Sequence, residues 1–349
     1  MKRTTLFLLI GAIVFALTEV HGVTQSLNQR IAITGEKRGL PIRFRFVEKL
    51  EFDFIRRPVK LLIIQDKIYI LDWMLSQVFI IDPSGHVIDK IGKPGQGPGD
   101  LERPIDMALS PDGTLYVLNA GSRRIEVFSK AGAPLKRIVL APPRDLIYSN
   151  PDRLLILPGE RLLVGYSFSP HLLDVYGPDG KFHAEWLRRE FPINPSGKNI
   201  GNALDILPMN SSGYLMLNRF TGVFQTMDPA GNRITEFSAY SRIHADNVKR
   251  VMDSIKGSPK TSGIQVDTVY QWSTACRDTN GDVLVFSLFE KEDETQTLFA
   301  FSQDGVLRYR TIVPQFRGMS VIQLYSSDDR FYFITADDEI FFAMREVRP

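Results

Sequence analysis

Regularly spaced tight turns and short strand-like segments predict an all-β fold, a six-bladed β-propeller of four-stranded antiparallel blades. Two kinds of turn alternate along the 349 residues, and runs rich in β-branched and aromatic side chains separate them. The composition is 44% hydrophobic and 23% charged. These values exclude a disordered chain and a polytopic membrane protein.

The first kind of turn is short and polar, and it occurs six times. The six turns are 65–67, 110–113, 158–160, 211–213, 278–281 and 327–329. A strand-like run follows each of them, for example Leu115–Leu118 and Val283–Phe286. Asp, Pro, Ser and Gly favour tight-turn geometry, so each turn is predicted to join two strands of a hairpin.

The second kind of turn places a glycine four residues after an apolar residue. The glycines are Gly85, Gly132, Gly180, Gly231 and Gly305, separated by 47, 48, 51 and 74 residues. Two hairpins in each repeat make four strands. Four-stranded repeats of about this length are typical of propeller blades.

The last repeat ends at Pro349 with only three plausible strands. The segment Ile42–Phe54 precedes the first repeat and carries alternating apolar residues, including Phe44 and Phe46. We expect it to supply the missing strand and close the ring, which removes free sheet edges. The alternative is a sandwich built from separate hairpin pairs.

The N-terminus is typical of a secretory signal peptide. A basic start, Lys2-Arg3, precedes the run of twelve uncharged residues Leu6–Leu17. That run is shorter than the roughly 20 residues that a membrane-spanning helix needs. We therefore expect cleavage after residues 1–22, leaving the propeller at 23–349 in the periplasm or outside the cell, with no transmembrane segment. The alternative is an uncleaved membrane anchor.

Charge and cysteine content exclude several classes of site. The formal net charge of +2 gives no indication of nucleic-acid binding. The single cysteine, Cys276, excludes an intramolecular disulfide and a zinc site built on several thiolates. We expect Cys276 to be a buried, unreactive thiol.

The second repeat carries a family resemblance. It reads Gly95–Leu101, Pro104–Ala108, Asp112–Val117 and Asn119–Phe128, and it resembles the NHL repeat. Arg124 matches the arginine of that pattern, whereas Asn119 and Ser122 depart from it. The other repeats match loosely over 60–349. The resemblance implies a six-bladed propeller; members of the family include binding modules, extracellular sensor domains and a few enzymes, so it leaves the function open.

Long connections between the repeats are expected on one face of the propeller. They are 92–103, 141–152, 187–202, 238–271 and 314–318. We call this side, which also carries the loops between second and third strands, the long-loop face, and the opposite side the short-turn face. Within 238–271, Val248, Val251, Met252 and Ile255 have the spacing of a short amphipathic helix. Loops held by a rigid scaffold commonly carry function.

Polar residues recur at one position of the innermost strands, where small residues are usual in the NHL family. Asp106, Arg153, Asp205 and Thr274 share that position, and Lys60 lies within one residue of it. We also expect His171 and Arg219 on the long-loop face. The candidate binding set is therefore Lys60, Asp106, Arg153, Asp205, Thr274, His171 and Arg219. The alternative is a structural network of Asp106, Arg153 and Asp205 that holds the blades together.

A second recurring position ends the second strand of each repeat. Its members are short polar residues, Asp72, Asn119, Ser167, Asn218 and Ser287. Side chains of this kind hydrogen-bond to nearby backbone. We expect them to stabilise the adjacent turns.

These features predict an exported, non-enzymatic binding propeller that acts as a monomer. Its long-loop face would engage a protein, a small molecule or a glycan, and the mildly basic loops favour an acidic partner. The second hypothesis is a hydrolase of the lactonase type, or a lyase, with a channel calcium ion on Asp106 and Asp205. No glutamate occupies an inner position, and no catalytic residue or other cofactor is predicted. The third hypothesis is a structural subunit of an envelope complex.

Overall fold

In the residues that it describes, the computed structural model has 25 β-strands arranged as six sheets. It describes residues 28–32, 43–64, 66–142, 150–166, 169, 171–188, 203–209, 213–219, 221–240, 272–287, 296–303, 305–316 and 318–346. The predicted signal peptide at 1–22 and the predicted helix near 248–255 lie outside these residues. Within them, no helix has the length and hydrophobicity needed to cross a membrane.

Each sheet is one blade, and blades 1 to 5 each contain four consecutive strands. Blade 1 contains β3 (Pro58–Ile64), β4 (Lys67–Asp72), β5 (Gln77–Ile81) and β6 (Val87–Ile91). Blade 2 contains β7 (Pro104–Leu109), β8 (Leu115–Asn119), β9 (Arg124–Phe128) and β10 (Pro134–Val139). Blade 3 is β11 (Arg153–Ile156), β12 (Leu162–Gly165), β13 (His171–Tyr176) and β14 (Phe182–Arg188). Blade 4 contains β15 (Leu204–Pro208), β16 (Tyr214–Asn218), β17 (Val223–Met227) and β18 (Arg233–Tyr240). Blade 5 contains β19 (Trp272–Arg277), β20 (Val283–Ser287), β21 (Gln296–Phe301) and β22 (Leu307–Val313).

The two ends of the chain meet in blade 6, which closes the ring. It contains β23 (Val321–Ser327), β24 (Arg330–Thr335), β25 (Ile340–Arg345) and, as its outermost strand, β2 (Phe44–Leu50). Strand β2 pairs antiparallel with β25, from Phe44 opposite Arg345 to Leu50 opposite Ile340. The segment expected to close the ring therefore supplies the fourth strand of the last blade.

Blade 4 differs from the four-stranded expectation because it gains a fifth strand. Strand β1 (Asn28–Ala32) pairs in parallel with β18, from Asn28 opposite Glu236 to Ala32 opposite Tyr240. The outermost strand of a blade presents unpaired backbone N–H and C=O groups, and β1 satisfies those of β18. No side-chain pattern in the sequence indicated this pairing.

The hydrophobic core lies between neighbouring blades rather than within one sheet. At the interface of blades 4 and 5, Leu215 and Leu217 of β16 pack with Val283 and Val285 of β20. Residues Leu284 and Phe286 of β20 point the other way, into the interface with blade 6. Because both sides of a second strand are buried, these strands read as continuous apolar runs, as a sheet covered on both faces requires.

The glycine turns pack closely against the preceding blade. All five glycines have positive φ, between 79° and 91°, a conformation that glycine adopts at little cost. A Cβ at Gly231 would lie 2.5 Å from Nε1 of Trp186 in the preceding blade, and one at Gly305 would lie 2.6 Å from Cγ of Phe237. The glycines are needed for close contact between blades as well as for the turns.

We expect Gly180→Ala to destabilise the propeller much more than Gly159→Ala. Both glycines have positive φ, 82° and 74°, so each alanine carries a left-handed backbone penalty of about 1–2 kcal/mol. A Cβ at Gly180 also clashes with the backbone oxygen of Val139 in blade 2, whereas nothing lies within 4 Å of one at Gly159. Gly180→Ala should therefore lose at least about 2 kcal/mol more free energy of unfolding in urea titrations. Equal losses of unfolding free energy in the two variants would show that the close contact between Gly180 and Val139 does not limit the side chain at this position.

Candidate functional site

The strand register brings the predicted inner-strand residues to one level around the central channel. Lys60, Asp106, Asp205 and Thr274 each lie opposite the penultimate residue of their neighbouring second strand. Arg153 occupies the corresponding position at the start of β11, opposite Gly165. Counting along the sequence placed Lys60 one residue away from the shared position. A register shift between Pro58 and Lys60 brings Lys60 to that position, opposite Leu71.

Lys60 and Asp106 form an ion pair across blades 1 and 2. The distance from Lys60 Nζ to Asp106 Oδ1 is 2.9 Å, and the side chain of Asp106 is 3% exposed. The other oxygen, Oδ2, accepts a hydrogen bond of 2.8 Å from the backbone N–H of Leu154 in blade 3. Burial lowers the pKa of Lys60, but the charge and hydrogen bond of Asp106 together with Tyr325 raise it by more, and the net shift is upward. One carboxylate thus connects three blades.

Asp205 is paired with Arg219 in blade 4. The guanidinium donates two hydrogen bonds, from Nε to Oδ2 at 3.0 Å and from Nη2 to Oδ1 at 2.6 Å. Such two-point pairs are strong and fix the orientation of both groups. The alternative network of Asp106, Arg153 and Asp205 is therefore not what the structure shows, because Lys60 and Arg219 supply the cations.

Arg153 differs from these two cations. Among the described residues its guanidinium makes one hydrogen bond, 2.7 Å to the carbonyl oxygen of Asp152, and no ion pair. Burial lowers its pKa, but the carboxylates of Asp152, Asp106 and Asp205 raise it by more, so Arg153 stays charged. Gly165 gives it room, because a Cβ there would lie 2.8 Å from the Cβ of Arg153.

Blade 6 contributes two residues that sequence reasoning missed. Gln323 on β23 takes the position equivalent to Lys60. Its amide donates to the carbonyl oxygen of Val59, and its Oε1 accepts a 2.5 Å hydrogen bond from the hydroxyl of Tyr325. Burial raises the pKa of Tyr325 to about 12. Counting back from the sixth second strand, Arg330–Thr335, would have found Gln323.

His171 is the member of the candidate set that lies elsewhere. It starts β13, the third strand of blade 3, and it is 5% exposed. Its Nδ1 is 3.1 Å from Oδ1 of Asp174, and its Nε2 is 3.1 Å from Oε2 of Glu185. The structure thus buries His171 between two carboxylates of its own blade and does not bring it to the inner-strand set.

The two aspartates do not form a suitable calcium site. Asp106 accepts hydrogen bonds on both oxygens and Asp205 is engaged on both by Arg219. Within the described ranges no group of three or more His, Cys, Asp or Glu side chains converges. Calcium takes six to eight oxygen ligands, so it would have to displace both cations and find most of its ligands elsewhere.

The polar residues at the ends of the second strands have a structural role. Asp72 accepts hydrogen bonds from the backbone N–H groups of Arg56 and Arg57, at 2.6 and 2.9 Å. Asn119 and Asn218 accept from backbone N–H groups in the same way, as does Ser287. The expectation that these residues stabilise the adjacent turn is met at Asp72, which also accepts from the backbone N–H of Leu75, and at Asn218. The donors to Asn119 and Ser287 lie in the inter-blade connection and in β21 instead, and Ser167 lies outside the described residues.

Cys276 is a buried free thiol in β19. Burial raises its pKa well above the ordinary value, and the carboxylates of Asp278 and Asp205 raise it further. A thiol held in its neutral form is a poor nucleophile. Its position and its chemistry agree with a packing role.

Comparisons with known proteins agree with this architecture. Residues 51–141 match the model of a family described as "6-bladed beta-propeller" (DUF5128). No curated protein matches the chain.

Solved structures extend the comparison to most of the chain. A protein from Bacteroides fragilis described as a candidate exported protein has 11% identity and a TM-score of 0.62, covering 92% of this chain and 99% of its own. Virginiamycin B lyase from Staphylococcus aureus has 11% identity and a TM-score of 0.53, covering 86% and 99%. A member of the duf4221 family from Bacteroides vulgatus has 10% identity and a TM-score of 0.57, covering 90% and 99%.

Identities this low carry the fold alone. They do not single out the NHL repeat, so that part of the sequence interpretation stays a resemblance. The matched family segment and the neighbours, together with the six sheets, identify the chain as a six-bladed β-propeller.

Proposed function

We propose that the chain is an exported, non-enzymatic binding propeller whose channel mouth holds an anionic group of a ligand or protein partner. The observation that carries this proposal is the state of Arg153. Of the three lysine and arginine residues in the candidate set, Lys60 and Arg219 are paired with carboxylates, whereas Arg153 has no ion pair among the described residues.

A partly buried guanidinium that forms no ion pair with the described carboxylates favours an anion from outside. Arginine binds carboxylate, sulfate and phosphate groups through two parallel N–H donors, which adds geometric selectivity to charge attraction. Asp106 and Asp205 surround Arg153 but are committed to other cations. The incoming group would complete the third pair. An acidic glycan or an acidic protein segment supplies such a group, and the long loops around the mouth would contact the rest of it.

Export is supported by the signal-like residues 1–22 and by the candidate exported protein among the structural neighbours. We further propose that the mature chain is a monomer without cofactor or bound nucleic acid.

An enzymatic role has less support from the residues. The lyase from Staphylococcus aureus shares the fold at 11% identity, which does not transfer its reaction. A general base must be free to accept a proton, but both carboxylate oxygens of Asp106 and of Asp205 are already engaged by cations or backbone N–H groups. His171 is enclosed within blade 3.

Arg153→Ala should remove binding and leave the protein folded. The mature protein is applied to an array of acidic and neutral oligosaccharides and acidic peptides, and affinities for the hits are measured by calorimetry. We expect the hits to be anionic, Arg153→Ala to weaken them at least tenfold, and unfolding free energy to change by less than about 1 kcal/mol. Arg310→Ala, an exposed arginine on the outer strand β22, should have no effect.

Binding of neutral compounds alone, or equal affinity of the parent and Arg153→Ala proteins, would contradict the proposal. If Arg153→Ala lowers the free energy of unfolding by about 3 kcal/mol or more while the folded fraction still binds, Arg153 has a purely structural role.

A further inference from the structure

The seam between blade 6 and blade 1 holds an open groove of about 1000 Å³. It lies between the closing strand β2, the segment 51–55 that follows it, the loop 337–339 and the turn 82–85 of blade 1. Two smaller cavities at blades 3 and 4 measure about 30 and 10 Å³. Sites for ligands or peptide side chains have volumes of roughly 300–1,000 Å³, so the groove is of binding size.

The groove lies beside the blade that closes the ring, in which β2 and β25 pair without a direct chain connection, and β2 continues through 51–57 into β3 of blade 1. At the seams of blades 3 and 4 and of blades 4 and 5, Trp186 and Phe237 lie within their outer strands and pack directly against a glycine turn of the next blade. At the closing seam, β2 ends at Leu50, and Phe52 beyond it reaches the turn at Gly85, 3.5 Å from a Cβ placed there. Space is left between the strand and the turn.

The floor of the groove is apolar. Phe52, Phe54 and Phe342 line it and are only half-buried, beside the buried Tyr332 and Ile340. The rings of Phe52 and Phe54 are 5.3 Å apart. Half-exposed aromatic side chains in a concave surface gain free energy when a partner covers them.

The rim is strongly acidic, although the whole chain carries a net charge of +2. Its carboxylates are Glu48, Glu51, Asp53, Asp82, Asp337, Asp338 and Glu339. Lys49 is the amine in the lining, 2.7 Å from Glu339. Arg57 lies 3.9 Å from Asp338. Seven carboxylates against these two cations leave the rim with a formal net charge of −5.

We propose that this groove docks a short cationic peptide segment of a partner protein, with lysine or arginine side chains next to an aromatic or aliphatic one. The acidic rim attracts and orients the cations, and it repels nucleic acid and anionic membrane. The aromatic floor accepts the apolar side chain, which a simple polyamine lacks. None of the groove's residues belongs to the channel mouth, so this site is independent of the proposed anion site.

The test uses three labelled octapeptides and the mature protein. One peptide alternates Lys and Phe, one alternates Lys and Ser, and one alternates Glu and Phe; binding is followed by fluorescence anisotropy at low salt. The groove variant is Glu51→Gln/Asp53→Asn/Asp337→Asn, whose side chains are exposed. The control variant, Glu160→Gln/Asp179→Asn/Asp328→Asn, removes the same charge from exposed turns on the short-turn face.

We expect the Lys/Phe peptide to bind at least tenfold more tightly than the other two. The groove variant should lose at least tenfold in affinity, whereas the control variant and Arg153→Ala should keep the parent value. Equal binding of all three peptides, or equal losses in the two triple variants, would overturn the proposal. Sedimentation showing that the parent self-associates and the groove variant does not would also overturn it, since the occupant would then be a second copy.

Discussion

Removal of residues 23–56 from the mature chain will abolish cooperative folding, whereas removal of 23–42 will leave it largely intact. The longer deletion takes away β2 and exposes the edge of β25. It also removes Phe44, whose ring lies 5.1 Å from that of Phe331, and Val47, which packs on the same core cluster. The shorter deletion removes β1 and keeps β2.

The expected size of the effect follows from the apolar side chains lost. Leu50, Phe52 and Phe54 pack against the core between blades 6 and 1, and Phe44 and Val47 pack against that between blades 5 and 6. At roughly 1.5–3 kcal/mol for each fully buried side chain, and less for these partly buried ones, the loss approaches the 5–15 kcal/mol that stabilises a typical domain. Thermal unfolding followed by circular dichroism tests this. Similar melting temperatures for the two truncations would show that β2 does not hold the ring closed.

The hairpins were predictable because their signals are local. A turn such as Ser110–Gly113 is specified by residues adjacent in sequence, and the apolar run that follows it is continuous because both sides of the strand are buried. The same reasoning placed Asp106, Arg153, Asp205 and Thr274 at one level, since strand register carries a position from blade to blade.

What the sequence could not predict depends on geometry between blades. The partner of Asp106 is Lys60 rather than Arg153, a choice between side chains of two neighbouring blades that counting positions along the chain does not reveal. The pairing of β1 with β18 uses backbone groups alone. The groove at the closing seam arises where two distant parts of the chain meet, and no local pattern encodes the space between them.

Asp106→Ala will destabilise the propeller severely, in contrast to Arg153→Ala at the same level of the channel. Lys60 keeps a side chain that is 23% exposed and loses its 2.9 Å partner. The backbone N–H groups of Leu154 and Met107 lose their acceptor. Breaking a buried ion pair by removing one member typically costs about 3–5 kcal/mol, and unsatisfied donors add to that.

The double variant Lys60→Met/Asp106→Ala separates the ion pair from the hydrogen bonds. Compared with Asp106→Ala it removes the unpaired cation, while the backbone N–H groups of Leu154 and Met107 still lack their acceptor, so it should recover the part of the stability that was lost through the unpaired charge. The pH dependence gives a second readout. The folded protein raises the pKa of Lys60, with burial opposing and Asp106 driving the shift, so its contribution is complete below the unfolded pKa of about 10.5 and is lost as pH rises through the folded value. The free energies of unfolding of the parent and of Asp106→Ala in urea should therefore differ most near neutral pH, and the difference should narrow as the pH rises toward and above about 10.5, because loss of the Lys60 proton removes the unpaired charge of the variant and the ion pair of the parent. A double variant no more stable than Asp106→Ala would show that the hydrogen bonds to Leu154 and Met107, and not the charge pair, account for the loss.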